Sequence, residues 1–333
     1  MVHPGHGICT MTDAVRAIEP HSPGGDVDLD QFHDLVFDLR FERPEPGSNL
    51  QDRFDGAGQI PIALDAPFGA TGPMLFRFGD MLSLLFDWTT VQSGMKLSDP
   101  DHLLFDYTRV MMGFRLFRPQ PRRIEMIGLG GGSLAKACYR CLPDCDITVV
   151  EIDPEVIALR DQFHVPPDDH RFRVIRADGV DYVANAAGKP DVLLLDGFDS
   201  RGLPQALSVR AFYDSCRERL GPDGLLVANL CDNMTAFTIL KRRIAASFDG
   251  RAITVPAERR GNRVVFACAN ASFPPSPEAF SEAMLYVSPQ DVVDYAAKAR
   301  RIEPQLHRWR SRASSASRLV STTTVAGDPR FEP

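Results

Sequence analysis

A glycine cluster and a later acid have the types and spacing of a nucleotide-binding site. The apolar run Ile124–Ile127 meets the sequence GLGGG at residues 128–132, and a helical stretch follows from Ser133. A second apolar run, Ile147–Val150, ends on Glu151, about twenty residues after the glycines. Glycines let a ligand approach the backbone, the helix start offers free N–H groups, and the acid can accept hydrogen bonds from ribose hydroxyls. A glycine pattern alone also fits a packing turn, but the offset of Glu151 favours a nucleoside site.

Three further acids follow apolar runs that we predict to be strands. Asp178 lies in Ala-Asp-Gly, and Asp196 and Asp199 lie in Asp-Gly-Phe-Asp after Val192–Leu195. Ligands of open α/β sheets bind beyond the carboxyl ends of the strands, so these acids are candidate ligand contacts. Each acid could instead cap the following helix. The last two carboxylates would make an anionic rim that can attract a cationic amine, orient it and take up its proton.

The elements that would position these acids alternate between strands and helices. Near-continuous apolar strands separated by helices predict a parallel sheet that is covered on both faces. The last two strands, Ala252–Val255 and Arg263–Cys268, form a hairpin around Gly261-Asn262, unlike the second half of a dehydrogenase fold. We therefore predict an α/β fold: an S-adenosylmethionine-dependent methyltransferase-like (Rossmann-like) seven-stranded sheet with a small N-terminal β domain. Helices are predicted over residues 101–117, 133–141, 154–163, 180–187, 208–220, 235–248, 277–287 and 291–301.

This fold, together with the anionic rim, predicts a particular class of reaction. An amine would attack a carbon next to a sulfonium, in an in-line displacement. The leaving group would be a neutral thioether, so the protein would chiefly supply positioning and a base.

Four segments are predicted along the chain. Residues 1–55, rich in Pro, Gly, His and Asp, would be a flexible or partly helical arm. Residues 56–100 would form the small β domain, with a hairpin at Gly79-Asp80. Residues 101–272 would form the transferase domain. Residues 273–333 would be a C-terminal helical extension with a mobile polar tail from about Ser311.

Length, composition and charge are those of an ordinary soluble protein. The 333 residues can bury a large core, 44% of them are hydrophobic, and the net charge is −7. This charge gives no general attraction to nucleic acid or to an anionic membrane, and no apolar run is long enough to span one. No secretory signal begins the chain, and seven thinly spread cysteines suggest free thiols, so we expect a cytoplasmic protein. Cys138, Cys141 and Cys145 look like a metal knuckle, but no second pair follows at finger-like spacing, so we expect no metal.

The chain resembles the polyamine aminopropyltransferases, the spermidine synthase family, over about residues 73–270. The resemblance implies transfer of an aminopropyl group from decarboxylated S-adenosylmethionine to a di- or polyamine, and often a homodimer. It implies a small-molecule amine as partner, whereas the expectation of no nucleic-acid or membrane partner rests on the net charge and the apolar runs. The matching segments, in order, are LLFDWTTVQ, DYTRVM, RRIEMIGLGGGSL, VVEIDPEVI, ADGVDYV, DVLLLDGFD, LPQAL, AFYDSC and GPDGLLVANL.

The resemblance also implies roles for individual residues. Asp196 would be the base for the attacking amine, with Asp199 helping to bind it and Tyr107 near the reacting nitrogen. Glu151 would hold the ribose, and Asp178-Gly179 would contact the adenine. The catalytic candidates are therefore Asp196, Asp199 and Tyr107, and the nucleoside-binding candidates are Gln92, Gly128, Gly130, Gly131, Gly132, Glu151, Ile152, Asp178 and Gly179.

Several positions depart from the family pattern. Family members commonly have GGGDGG in the glycine loop, where the Asp binds the ammonium of the decarboxylated donor, but this chain has Gly131 there. An Asp would repel the carboxylate of intact S-adenosylmethionine, and a glycine would not. Thr108 stands where a Gln or His commonly follows the tyrosine, and Asn229 where a Gln lines the amine channel. Asp-Gly-Phe-Asp replaces the usual Asp-Ser-Ser-Asp.

Three functions remain open at this point. The first is an aminopropyltransferase-like enzyme, and the second is an S-adenosylmethionine-dependent methyltransferase acting on an unidentified small molecule. The third is a non-catalytic nucleoside-binding relative. An NAD dehydrogenase is disfavoured, because Ser133 fills the third glycine position of that fingerprint and Asp178 would have no role.

Overall fold

The structure, a computed structural model, describes residues 72–87, 90–199, 202–231, 237–257, 262–287 and 293–323. The arm predicted over residues 1–55 lies outside these ranges. None of the helices within them is long and apolar enough to cross a membrane.

A small antiparallel sheet precedes the main fold. Its strands are β1 (Met74–Phe78), β2 (Met81–Asp87) and β3 (Thr90–Lys96), in the order β1-β2-β3. The hairpin predicted at Gly79-Asp80 is confirmed, and Gly79 has a φ of 53°, which glycine adopts without strain. Leu84 and Met95 are buried and belong to the same hydrophobic cluster as the main sheet. The small sheet therefore packs directly on the larger fold.

The main sheet has seven strands in the order β6-β5-β4-β7-β8-β10-β9. The strands β4 to β8 run parallel, whereas β10 runs antiparallel to both β8 and β9. This arrangement confirms the predicted fold class. The bounds are β4 Arg123–Ile127, β5 Asp146–Glu151, β6 Phe172–Arg176, β7 Val192–Leu195, β8 Leu225–Cys231, β9 Ala252–Pro256 and β10 Asn262–Cys268.

Helices cover both faces of the main sheet. Ile124 and Leu194 belong to the core on one face, and Leu193 and Val265 belong to the core on the other. The first core includes residues of α1, α2, α8 and α9, and the second includes residues of α4, α6 and α7. The helices are α1 Asp106–Met111, α2 Ser133–Cys141, α3 Pro154–Ala158, α4 Gly179–Asn185, α5 Gln205–Ser208, α6 Arg210–Leu220, α7 Phe237–Ser247, α8 Pro277–Ala283 and α9 Tyr295–Thr323, with 3₁₀ turns at Met112–Leu116 and Met284–Tyr286.

Several helix predictions need correction. The helix predicted over residues 101–117 is the six-residue α1 followed by a 3₁₀ turn, and most of its residues are buried rather than forming one apolar stripe. The helix predicted to end at residue 301 continues to Thr323. The mobility predicted for the tail from Ser311 stays a prediction. The helix is anchored in the core by Ile302 and Leu306, and from there it continues through the serines. The division into four segments at residues 55, 100 and 272 stays a prediction.

Candidate active site

The site lies where the chain changes direction across the sheet. From β4 the chain adds β5 and β6 on one side, and then β7 and β8 on the other. The carboxyl ends of β4 and β7 are therefore adjacent, and such a switch point leaves a crevice between the loops that follow. A cavity of about 590 Å³ opens there, lined by residues from the small sheet, α1 and the loops after β4, β5, β6 and β7. This volume is typical of small-molecule sites.

The glycine loop brings β4 against the residue that follows β7. Gly128 has a φ of 99°, and a Cβ atom on it would collide with the backbone carbonyl of Asp196. Gly130 has a φ of 51° and lines the cavity, as Gly128 does. Only glycine therefore allows the loop to pass so close to Asp196, the candidate base.

Gly131 and Gly132 are described in the structure but are not among the residues that line this cavity. A Cβ atom on Gly131 would lie 2.6 Å from Ser93 Oγ and 2.9 Å from Phe163 Cδ1. Ser93 and Phe163 therefore occupy the space that an aspartate at this position would need. The packing around Gly131 in this chain therefore suits a glycine at this position.

Glu151, at the end of β5, is almost fully buried and lines the cavity. Its Oε2 accepts a hydrogen bond from the N–H of Leu129 at 2.8 Å, and its Oε1 accepts one from the N–H of Asp153 at 2.9 Å. The carboxylate is thereby tied to the glycine loop. Each oxygen keeps a second lone pair that a ligand hydroxyl can use.

Asp178 caps α4, as the alternative interpretation allowed. It accepts a hydrogen bond from the N–H of Val180 at 2.7 Å and a longer one from the N–H of Asp181 at 3.4 Å. It nevertheless lines the same cavity together with Gly179, Ile152 and Gln92. The cap therefore does not remove Asp178 from the candidate site.

Asp196 receives a hydrogen bond on each of its carboxylate oxygens. The hydroxyl of Tyr107 donates to Oδ2 at 3.2 Å, and Asn229 Nδ2 donates to Oδ1 at 2.8 Å. Burial raises the pKa of Asp196 from 3.8 to about 6, against the lowering effect of these two hydrogen bonds. Asp196 is thus ionised at neutral pH and yet has a higher proton affinity than an exposed aspartate.

Tyr107 projects into the cavity from α1. Burial raises the pKa of its hydroxyl well above 10, and the adjacent charge of Asp196 raises it further. The hydroxyl therefore stays protonated and remains a donor to Asp196. Next to it, Thr108 lines the cavity but donates its hydroxyl hydrogen to the carbonyl of Phe105 at 2.6 Å.

The remaining catalytic candidate, Asp199, lies on the loop after β7. Its backbone exchanges hydrogen bonds with Gly202, at 2.9 and 3.0 Å, and both residues line the cavity. The cavity lining contains four carboxylates, and among the described residues it contains no lysine, arginine or histidine. The electrostatic environment therefore favours a cationic ligand. The four acids are Glu151, Asp178, Asp196 and Asp199.

Ser93 and Asn262 are polar residues of the cavity lining that the sequence analysis did not predict. Ser93 follows Gln92 on β3 and packs against the glycine loop. Asn262, the first residue of β10, donates from Nδ2 to Asn229 Oδ1 at 2.9 Å. In the sequence it reads only as a turn residue next to Gly261. No signal in the chain indicates that it reaches Asn229.

The three cysteines of the possible knuckle, Cys138, Cys141 and Cys145, are free thiols. Burial raises the pKa of Cys138 well above 9 and that of Cys145 to about 12. Within the described ranges, no group of three or more His, Cys, Asp or Glu residues is placed to hold a metal ion.

The fold and the cavity together define an S-adenosylmethionine methyltransferase-like α/β transferase. Residues 104–240 match the spermine/spermidine synthase domain. The chain is 39% identical to the polyamine aminopropyltransferase of Chromobacterium violaceum over 190 residues, which are 57% of this chain and 73% of that protein. It has the same identity to the polyamine aminopropyltransferase of Neisseria meningitidis serogroup A over 191 residues, with the same two coverages. The chain therefore belongs to the spermine/spermidine synthase family of transferases.

A solved structure supports the fold. A spermidine synthase in complex with the transition state analogue AdoDATO superposes with a TM-score of 0.52 at 19% identity. The match covers 71% of this chain and 81% of that one.

Proposed function

We propose that this protein transfers the aminopropyl group of decarboxylated S-adenosylmethionine to an amine nitrogen of a di- or polyamine, as a step in polyamine biosynthesis. The observation that carries the proposal is Asp196, which is held by neutral donors in a cavity lined by acids. The names of the relatives support the same reaction.

The charge of the cavity favours one of the two possible donors over the other. Decarboxylated S-adenosylmethionine carries a sulfonium and an ammonium, whereas the intact form also carries a carboxylate. At an effective dielectric of about 20, a carboxylate about 6 Å from one of the cavity acids would be repelled by about 3 kcal/mol. No basic side chain among the described lining residues offsets this repulsion. The decarboxylated donor is therefore the better match.

Asp196 is the proposed base. The amine nitrogen forms a bond to the propyl carbon next to sulfur, the carbon–sulfur bond breaks with its electron pair going to sulfur, and a neutral thioether leaves. Asp196 takes up the proton that the nitrogen releases, while Tyr107 holds Oδ2 in place. Asp199, on the same cavity, would bind the cationic amine.

The nucleoside would lie between the glycine loop and the exits of β5 and β6. Glu151 would accept hydrogen bonds from the ribose hydroxyls through its remaining lone pairs. Asp178-Gly179 and Ile152 would contact the adenine, and Gln92 would lie near the thioether. The support for these roles is that all of these residues line one cavity.

Methyl transfer from intact S-adenosylmethionine is the second candidate. It is favoured by Gly131, because no carboxylate at this place would repel the donor's own carboxylate. The N–H groups of Gly128, Leu129 and Gly132 already donate to Val150, Glu151 and Leu129, so those of Gly130 and Gly131 would be its partners in the loop.

Product analysis distinguishes the two reactions. The purified protein is incubated with each donor and a panel of di- and polyamines, and the nucleoside product is identified by mass. Methylthioadenosine formed only from the decarboxylated donor supports aminopropyl transfer. S-adenosylhomocysteine formed from the intact donor would contradict aminopropyl transfer and support methyl transfer.

The role of Asp196 is tested with Asp196→Asn. We expect turnover to fall by about 10²–10⁴-fold, the usual contribution of general acid–base catalysis, with nucleoside binding retained. Asp181→Asn is the matched control, because Asp181 is an exposed aspartate on α4. An unimpaired rate in Asp196→Asn would remove the residue from the base role.

A further inference from the structure

Asn229 is a buried amide whose two ends are both engaged. Its Nδ2 donates to Asp196 Oδ1 at 2.8 Å, and its Oδ1 accepts from Asn262 Nδ2 at 2.9 Å. Only 4% of the residue is exposed. Solvent therefore does not readily replace either partner, and the loss of one would leave a buried polar atom unsatisfied.

The sheet register brings the two amides together. In the antiparallel pair of β8 and β10, Asn229 lies opposite Val264, and Asn262 lies opposite Cys231. Residues diagonally offset by two positions point to the same face, within reach of their side chains. Asn262 thus approaches Asn229 from the side away from Asp196.

An ionised carboxylate can only accept hydrogen bonds, so Asn229 must present its N–H group to Asp196. If the amide were flipped, its oxygen would face the carboxylate, and its N–H group would face the N–H group of Asn262. With Asn262 in its observed rotamer, its N–H group disfavours the flipped orientation, so a flip of Asn229 would require Asn262 to rotate as well.

We propose that Asn262 is a positioning residue that fixes the orientation of the Asn229 amide and thereby keeps Asp196 an ionised acceptor. The role of Asp196 as base rests on the proposed function, but the orientation of the amide does not. Neither asparagine touches the reacting atoms in this proposal, since Asn229 acts through Asp196 and Asn262 acts through Asn229.

The titratable groups around Asp196 come from four elements. Tyr107 approaches from α1, Asp199 from the loop after β7, Glu151 from β5 and Asp178 from the loop after β6. Burial raises the pKa of Asp196, and the hydrogen bonds from Asn229 and Tyr107 lower it. Reversal of the Asn229 amide would remove the larger of the two lowering contributions.

The test measures the pKa of Asp196 in the free protein by carbon-13 NMR of its carboxyl group, assigned by its absence in Asp196→Asn. We expect the pKa to rise by about one pH unit in Asn262→Leu, which removes the donor without adding charge. A rise of similar size is expected in Asn262→Ala, which likewise removes the donor without adding charge. Asn229→Leu removes the group that donates to Asp196, so the pKa shift in this variant is the reference for the shifts in the Asn262 variants.

Asn185→Leu is the matched control, since Asn185 is exposed at the far end of α4, and the pKa of Asp196 should not change in it. Asn262→Ala adds neither charge nor bulk between β8 and β10, so it provides the readout if Asn262→Leu fails to fold. An unchanged pKa in the Asn262 variants, with a shift in Asn229→Leu, would overturn the proposal and leave Asn262 a packing residue.

Turnover gives a second readout. If the transferase proposal is correct, the acidic limb of the pH profile of kcat/KM should move to higher pH in both Asn262 variants. The affinity for the nucleoside should not change. If no turnover is seen with any amine, the proposed function fails, while the NMR titration still decides the role of Asn262.

Discussion

Burial and hydrogen bonding shift the pKa of Asp196 in opposite directions. Burial disfavours the charged form, whereas the hydroxyl of Tyr107 and the amide of Asn229 favour it. The balance leaves the pKa at about 6, between that of an ordinary aspartate and the neutral pH at which a base must work. Such a group can stay ionised and still accept a proton from an attacking amine.

The raised pKa of Asp196 predicts that the stability of the folded state depends on pH. Because the pKa is higher in the folded state than the ordinary value of 3.8, the folded protein binds more protons between pH 3.8 and about 6. The stability contributed by protonated Asp196 is therefore fully present below pH 3.8 and is lost as the pH rises through about 6. We expect Asp196→Asn to melt at a higher temperature than the wild type above pH 6, with the difference vanishing near pH 4.

The measurement is the melting temperature of both proteins from pH 4 to pH 8. Asp181→Asn serves again as the exposed control and should show no comparable trend. A difference that stays constant over the whole range would show that Asp196 is not strained by ionisation in the folded state.

Site residues could be predicted from the sequence only where they follow a recognisable sequence pattern. Glu151 and Asp196 follow apolar strands, and their position at the same sheet edge follows from parallel topology. Asn262 leaves no such pattern, because its role depends on the antiparallel register between β8 and β10. Likewise, Gly131 could be identified as a departure, but its contacts with Ser93 and Phe163 depend on how the small sheet packs.

At the scale of elements, the helix that carries Tyr107 is too short to be stable by itself. It has six residues, and isolated helices of this length do not form in water. Its first residue, Asp106, is buried and forms ion pairs with Lys298 Nζ at 3.2 Å and with Arg301 Nη1 at 2.9 Å. Both cations come from α9, so the C-terminal helix positions the tyrosine that contacts Asp196.

Asp106→Asn should therefore destabilise the protein markedly. Removing one partner of a buried ion pair typically costs about 3–5 kcal/mol, because the remaining charge keeps its desolvation penalty and loses that attraction. Lys298 is only 5% exposed, so water cannot readily take the place of the carboxylate. Urea denaturation should show this loss in the free energy of unfolding, and the double variant with Lys298→Met should recover part of it.

Asp101→Asn is the control for this prediction. Asp101 pairs with Arg140 at the surface, where both side chains are substantially exposed, and such pairs contribute at most about 1 kcal/mol. Equal effects of the two substitutions would show that the contact between α1 and α9 does not stabilise the fold.

The strands of the parallel sheet were the easiest to predict, because short and largely apolar runs such as Val192–Leu195, which follows Pro190-Asp191, have few alternatives. The helices at the ends of the described chain were harder. The stretch over residues 101–117 is buried on several sides, so periodicity does not show where its helix begins. The helix α9 continues through the polar residues after Ser311 because Ile302 and Leu306, which are buried in the core, already anchor it.

For the whole molecule, the relevant charge is that of the cavity rather than the net charge. A net charge of −7 is modest for 333 residues, whereas four carboxylates line a cavity of about 590 Å³. A ligand in the cavity is closer to these carboxylates than the Debye length of about 10 Å at 0.1 M salt. Donor selection should therefore be electrostatic.

We expect decarboxylated S-adenosylmethionine to raise the melting temperature more than the intact form at equal concentration. A ligand at a hundred times its Kd stabilises the folded state by about 2.7 kcal/mol, and the repulsion of a carboxylate would remove most of that gain. Methylthioadenosine, which carries neither the sulfonium nor the ammonium, should protect less than the decarboxylated donor. The difference between the two donors should shrink at 1 M salt, where the Debye length is about 3 Å. If the intact donor protects more strongly, then its carboxylate is bound by the glycine loop beside Gly131, and methyl transfer becomes the better account of this site.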